Sequence, residues 1–160
     1  MAGYGSDAAY EAWLTEQGYT VPETAPSSTI QRQRASVYID ATYEARFPGE
    51  RTSASQERAW PRSGATLFGS DLATSAIPQQ VIDASYMAAY LSANSLLVLS
   101  VSTDPNQRVK RQKVDTIERE FFEPGGGSFA APYARTNSLI DGMLYPLIGP
   151  MNAEPNVLVV

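Results

Sequence analysis

The chain has 160 residues, of which 43% are hydrophobic, and this is enough for one globular domain with an apolar core. It contains 12 Lys+Arg and 17 Asp+Glu, and the resulting net charge of −5 argues against binding nucleic acid by charge alone. Cysteine and histidine are absent, which excludes disulfides, thiol chemistry, and the most common general base and transition-metal ligand.

The first half of the sequence predicts three helices. Ser6 is a suitable N-cap for the first helix, which Gly18 ends, and Tyr10, Trp13 and Leu14 fall on one apolar face of this helix. After the Pro-rich linker Thr20–Thr29, a second helix is predicted from Ser28, with the capping-box partner Gln31, and it ends at Pro48-Gly49. The predicted apolar stripe of this helix consists of Ile30, Val37, Tyr38, Ala41 and Ala45. A short helix is predicted over Ser53–Trp60, followed by a loop.

Two longer apolar patterns predict further helices. Pro78 suits the first turn of one helix, where a stripe of Ala84, Ala88 and Ser92 would allow another helix to approach closely. The predicted buried side of this helix consists of Val81, Ile82, Ala89, Ala93, Leu96 and Leu97. Apolar residues over Leu139–Ile148 predict a last helix. No apolar run is long enough to cross a membrane, so we expect a soluble intracellular product.

The segment "VKRQKVDTIEREF", Val109–Phe121, places basic residues directly before acidic ones. A two-residue turn at Asp115-Thr116 would set Lys113 opposite Glu118, and Arg111 opposite Glu120, across a β-hairpin that spans about residues 108–122. The basic run then largely neutralises itself. A helix is the alternative, because Val114, Ile117 and Phe121 also fit helical spacing. The predicted hairpin and subunit-contact residues are Lys110, Arg111, Lys113, Glu118 and Glu120.

The end of the chain predicts an extended tail over residues 149–160. Its last residues, Val157, Leu158, Val159 and Val160, are apolar and follow two proline breaks. They are candidates for insertion against a partner, and a frayed terminus is the alternative. The expected fold is therefore mainly α: a small helical bundle over residues 1–148 with one projecting β-hairpin, and an extended C-terminal tail.

Candidate catalytic groups are few, and we expect no enzyme, cofactor or metal site. Four acidic residues are interpreted as parts of solvated helix faces: Glu16, Asp40, Glu44 and Glu57. Trp60 is interpreted as a core residue rather than one that stacks on a base. Arg58 and Arg62 flank it, and they either pack around the rim of its ring or bind an acidic partner. The segment Gly125–Gly127 lacks the Lys-Ser/Thr of a phosphate loop and is interpreted as a hinge. Phe121 and Phe122 could stack on bases, but packing on helices or a neighbouring subunit is the favoured interpretation.

Four segments in order resemble the tailed-phage head–tail connector (adaptor) proteins, many of which are catalogued as DnaT-like single-stranded-DNA-binding proteins. They begin at Tyr38 ("YIDATYEARFPGERTSASQERAWPRSG"), Ile77 ("IPQQVIDASYMAAY"), Val109 and Leu139 ("LIDGMLYPLI"). The resemblance covers about residues 6 to 148, and "AWPRSG" together with the hairpin segment is its most specific part. The turn at Asp115-Thr116 departs from the Gly or Pro that the family often has there.

The resemblance implies a virion protein at the head–tail joint, made and assembled in the host cytoplasm. Its implied partners are the portal protein, which the C-terminal tail contacts, neighbouring copies in a twelve-fold ring, and a downstream tail or stopper protein. Double-stranded DNA would pass through the ring without specific binding, for which an acidic lining is suitable. No membrane is involved. The alternative function is a single-stranded-DNA-binding replication accessory, which would need the hairpin cations to be free.

Overall fold

The computed structural model describes residues 2–99, the backbone of residues 111–114 and 117–120, and residues 137–149. The described helices are α1 (Asp7–Gln17), α2 (Ser28–Tyr43) with a following 3₁₀ turn (Glu44–Arg46), α3 (Gln79–Ala93) and α4 (Ser138–Ile148). The described strands are β1 (Glu50–Arg51), β2 (Arg62–Ser63), β3 (Thr66–Leu67), β4 (Ser70–Asp71), β5 (Arg111–Val114) and β6 (Ile117–Glu120). They form three antiparallel pairs, β1–β2, β3–β4 and β5–β6. The predicted mainly α architecture is thus found, with two small strand pairs added to the expected hairpin.

Helix α1 has the boundaries that its sequence predicts. The Ser6 hydroxyl accepts a hydrogen bond of 3.1 Å from the backbone N–H of Ala9, which satisfies one free donor of the first turn. Gly18 adopts φ 68°, a left-handed conformation that ends the helix at little steric cost. Tyr10 and Leu14 are buried and Trp13 packs partly against the core, so the predicted face is confirmed.

Helix α2 begins at Ser28 as predicted, but it has no capping box. Ser27 is the N-cap and its side chain makes no capping bond. The Ser28 hydroxyl donates to Glu11 at 2.7 Å, and Gln31 accepts a hydrogen bond of 2.9 Å from the Tyr10 hydroxyl. Both side chains that the sequence assigns to the helix start therefore connect α2 to α1.

The predicted apolar stripe of α2 is wrong for all but one residue. Tyr38 is buried, whereas Ile30 and Val37 are 42% and 46% exposed, and Ala41 and Ala45 are exposed. The face that is buried instead consists of Gln31, Arg32, Ala35, Ser36, Tyr38, Ile39 and Tyr43. Polar residues tolerate this burial because they have partners. Hydrophobic patterning alone cannot predict such a face.

Helices α2 and α3 pack through small side chains. Ser36 lies 2.9 Å from Ser85, oxygen to oxygen, and Ala84 and Ala88 are fully buried beside them. Two members of the predicted small-residue stripe are thus confirmed, while Ser92 is partly exposed. Of the predicted buried side, Val81 and Ala89 are buried in α3, whereas Ile82 and Ala93 are partly exposed. Leu96 and Leu97 lie beyond the end of α3 at Ala93, where Leu97 is buried and Leu96 is 67% exposed.

The predicted helix over Ser53–Trp60 is wrong, because a loop organised by one glutamine occupies this segment. The Gln56 side chain accepts a hydrogen bond from the backbone N–H of Ser53. It also donates to the backbone carbonyls of Arg58 and Pro61, at 2.7 and 3.1 Å. The loop brings β2 back beside β1, with Arg62 opposite Arg51.

Helix α4 closes the body against α3, and its predicted apolar residues Ile140, Leu144 and Leu147 are buried. Two hydrogen bonds attach it to the end of α2. The Tyr43 hydroxyl donates to Asp141 at 2.7 Å, and Arg46 donates to the carbonyl of Gly149 at 2.9 Å. Residues from all four helices therefore contribute to one core.

Candidate functional site

The hairpin has the register that the charge pattern predicts. Lys113 lies opposite Glu118 and Arg111 opposite Glu120, with Val114 opposite Ile117. The alternative helix over this segment is therefore wrong. Lys110, Phe121 and Phe122 lie outside the described residues, as do the glycines at 125–127 and the tail residues Val157, Leu158, Val159 and Val160. The roles of the hairpin in subunit contact and of the tail in portal contact stay predictions.

Trp60 is confirmed as a core residue, with 1% of its surface exposed and its ring 5.6 Å from that of Phe47. The two flanking arginines also point inward. Arg58 donates to the carbonyl of Ala2 at 2.7 Å, and Arg62 donates to the carbonyls of Pro48 and Gly49 at 2.8 and 2.6 Å. The segment "AWPRSG" and the preceding Arg58 therefore form an internal anchor, because both arginines bind the chain's own backbone.

Asp40 belongs to a buried polar cluster rather than to a solvated face, so that prediction is wrong. It accepts a hydrogen bond from the Tyr4 hydroxyl and lies 3.5 Å from the Arg58 guanidinium. Burial raises the pKa of Asp40, and the hydrogen bond from Tyr4 and the charge of Arg58 oppose that shift. Burial also raises the pKa of Tyr4, followed by the effect of the nearby Asp40 charge. The cluster holds the segment before α1 against α2.

Glu44 has arginine partners and is likewise not simply solvated. Arg51 donates to its carboxylate at 2.7 Å, and Arg62 lies 3.8 Å away. The hydrogen bond from Arg51 lowers the pKa of Glu44 and outweighs the effect of burial. Arg32 likewise binds groups of its own chain: it pairs with Asp7 at 2.6 Å and donates to the backbone carbonyls of residues 3–5.

A groove runs between α1 and α3 on the surface of the body. Ala9, Ala12 and Trp13 line one side and Ile82 lines the other, with a volume of about 550 Å³. The exposed Glu16 lies at this groove, and no arginine in the described part of the chain pairs with it. Sequence reasoning missed this feature, since it assigned Trp13 to the core and Glu16 to a solvated face without relating them to α3.

Among residues 2–99 and 137–149, no group of three or more carboxylates forms a candidate metal site. None of the described helices is long and apolar enough to cross a membrane. Within the described residues, the groove between α1 and α3 and the exposed apolar side chains are surfaces open to a partner, and the hairpin adds a strand pair with opposed charges in its sequence.

The fold and these surfaces define a small, mainly α domain with a hairpin of opposed charges. The chain belongs to the family described as "Putative DnaT-like ssDNA binding protein", whose model matches residues 2–157. This confirms the catalogued family to which the sequence resemblance points, and its description agrees with the alternative function better than with a connector. No curated protein and no solved structure matches the chain.

Proposed function

We propose that the chain is a structural connector that assembles as a ring at the head–tail joint of a tailed phage and lets double-stranded DNA pass. The proposal rests on the sequence resemblance and on the way the body uses its cations. Residues 2–99 contain six arginines and ten acidic residues. A protein that holds single-stranded DNA needs cations available for phosphates, together with exposed aromatic rings on which bases stack.

The observation that carries the proposal is the internal use of arginine. Arg32, Arg58 and Arg62 are buried, and each binds a carboxylate and backbone carbonyls of its own chain. Arg51 pairs with Glu44, and Arg46 binds a carbonyl. Arg34 is exposed, and within residues 2–99 and 137–149 no carboxylate or carbonyl is found to bind it. A surface with this balance repels the phosphate backbone and suits a channel through which DNA slides.

In this proposal the hairpin contacts neighbouring copies and the tail contacts the portal. Charges opposed across β5 and β6 leave little net charge for phosphates, and they suit contacts within and between subunits. The apolar tail, repeated around a ring, gains binding strength from avidity even if one contact is weak. A downstream tail or stopper protein would bind the opposite side of the ring.

Co-sedimentation with DNA-filled, tailless phage heads tests the connector function. The chain should sediment with heads that carry a portal, and electron microscopy should reveal a ring at their exit. A chain truncated after Asn156 should keep its melting temperature and lose co-sedimentation. Equal sedimentation of both chains would contradict the role of the tail, and failure of the full chain to bind heads would contradict the connector.

Binding of single-stranded DNA is the second candidate function, and the description of the family favours it. The basic residues that could serve it are those of the hairpin segment, including Lys110, Arg111 and Lys113. Fluorescence anisotropy with a labelled oligonucleotide separates the two functions. For a connector we expect a Kd no tighter than about 10 μM near physiological salt, as for non-specific contacts.

Charge-reversal variants identify the source of any DNA affinity. Nanomolar binding that falls in Lys110→Glu and Arg111→Glu would support the second function. Arg34→Glu is the matched control, because Arg34 is an exposed cation of the body outside the hairpin. An equal loss in all three variants would indicate attraction by overall charge rather than a hairpin site.

A further inference from the structure

The outer face of α2 is an apolar stripe that nothing in the described part of the chain covers. Ile30, Val37 and Ala41 follow one another at intervals of seven and four residues, which places them on one side of α2, and Ala45 follows in the 3₁₀ turn. All four are exposed, and Arg34 lies between the first two on the same side. This spacing is typical of a helix face that is buried, and here the monomer leaves it open.

The groove between α1 and α3 has the complementary character. Its walls are apolar at Ala9, Ala12 and Ile82, and Trp13 contributes a partly buried ring. Glu16 supplies a carboxylate without an arginine partner in residues 2–99 or 137–149. The groove is thus apolar and acidic, whereas the α2 stripe is apolar and basic.

We propose that the α2 stripe of one copy docks into the α1–α3 groove of a second copy. Ile30 and Val37 are seven residues apart and so lie about 10 Å apart along the helix axis. Ala9 and Glu16 on the groove wall have the same separation. The two apolar side chains occupy the groove beside Trp13 and Ile82, and Arg34 pairs with Glu16. This is recognition of an amphipathic helix by a groove, with anchors at positions i and i+7.

The occupant is a second copy because one chain carries both complementary surfaces. Two α2 stripes facing each other would give Arg34 no carboxylate partner from the stripe, whereas the groove offers Glu16, so charge complementarity favours pairing of the unlike surfaces. Since the stripe and the groove are different surfaces, each docked copy leaves one of each free. Such a head-to-tail contact adds copies until a ring closes. In this respect the inference rests on the proposed ring function and names the contact that would build it.

One helix in one groove buries less surface than a stable protein interface of about 800 Å² per partner. We therefore expect weak association of isolated pairs and stronger association once a ring closes. Sedimentation velocity over a range of concentrations should detect it. Arg34→Glu or Glu16→Arg should weaken association at least tenfold, and the double variant should recover most of it. Glu23→Arg, at an exposed acid outside the groove, is the charge-matched control.

Cross-linking locates the contact, because the chain contains no cysteine. Mixed and oxidised Val37→Cys and Ala12→Cys chains should give a covalent heterodimer. Val37→Cys mixed with Ala54→Cys, at an exposed site far along the chain from both, should not. Head-to-tail docking would be overturned if the mixture gave mainly Val37→Cys homodimers rather than the heterodimer with Ala12→Cys.

The outcomes separate this inference from the ring function. If the wild type associates and none of the charge variants weakens it, the α2–groove contact is wrong while the ring stands. If the wild type stays monomeric at all concentrations, both are wrong. Association that requires an added oligonucleotide and is lost in Arg34→Glu would overturn the contact and assign Arg34 to DNA.

Discussion

The Tyr4 hydroxyl donates a hydrogen bond to the carboxylate of Asp40, 36 residues away, at the junction of α2 and the loop before β2. The same hydroxyl accepts from the backbone N–H of Trp60 at 3.3 Å. The backbone N–H of Tyr4 donates to Ser36, which in turn contacts Ser85 on α3. Tyr4 therefore connects three segments of the body, although it lies outside every helix and strand.

Substitution Tyr4→Phe should destabilise the body by about 1–3 kcal/mol, because the half-buried Asp40 loses its donor and the buried N–H of Trp60 loses its acceptor. The urea midpoint of unfolding measures the loss. Tyr145→Phe is the control: Tyr145 is 56% exposed, and its change should stay within about 0.5 kcal/mol. Similar losses in both variants would contradict a special role for the Tyr4 hydroxyl.

Substitution Glu44→Gln should destabilise at pH 7 by up to about 1 kcal/mol, since its ion pair with Arg51 is partly exposed. The hydrogen bond from Arg51 lowers the pKa of Glu44 below its ordinary 4.5. The contribution of Glu44 is therefore present above pH 4.5 and is lost as the pH falls through the lowered pKa.

Urea unfolding at several pH values between 7 and 3, for wild type and Glu44→Gln, checks this prediction. The difference between the two proteins should shrink towards zero as the pH falls. Glu23→Gln, at an exposed position of the linker between α1 and α2, should differ little from wild type throughout. A difference for Glu44→Gln that is constant with pH would mean that the side chain acts by packing and not by charge.

Substitution Phe68→Asn should stabilise the body by about 0.5–1 kcal/mol. The turn between β3 and β4 has two residues, and both have positive φ, 50° at Phe68 and 79° at Gly69. This is the geometry in which Asn-Gly is favoured, whereas a phenylalanine is strained. Phe68 is also 78% exposed, so its removal forfeits little packing. A lower melting temperature for Phe68→Asn would show that the ring stabilises the chain through contacts.

Reversing one charge of the hairpin should weaken it. Lys113→Glu places two acids opposite each other in the observed register, which costs up to about 1 kcal/mol. Adding Glu118→Lys restores opposite charges and should recover much of the loss. Hydrogen exchange of the β5 and β6 backbone amides reports the effect directly. The pairing would be contradicted if the loss of amide protection in the double variant equalled the sum of the losses in the two single variants.

Sequence reasoning succeeded where the signal is local. Ser6 and Gly18 bound α1 because a cap and a left-handed residue act within one turn. The hairpin register followed from opposite charges at matching distances from a turn, which is also a local pattern. Helix α4 followed from its apolar spacing, and Ile140, Leu144 and Leu147 are buried, whereas Leu139 is 54% exposed.

The failures arise where the structure depends on hydrogen-bond partners or helix packing that hydrophobic patterning does not reveal. Arg32 looks like a surface residue, yet it is 7% exposed because backbone carbonyls before α1 surround its guanidinium. Asp40 tolerates its partial burial because Tyr4 donates a hydrogen bond to its carboxylate and the Arg58 guanidinium lies beside it. Gln56 shapes a loop where the sequence predicted a helix. The groove at Trp13 and Ile82 depends on how α1 meets α3, which no local pattern contains.

Helices α3 and α4 pack against each other although 44 positions separate Ala93 from Ser138 along the chain. Residues between them, the hairpin included, thus form an insertion whose two ends belong to one rigid unit. The entropic cost of closing such a loop grows only slowly with its length. Changes in the length or charge of the insertion should therefore cost the body little stability, so that related chains can keep one scaffold while the insertion varies.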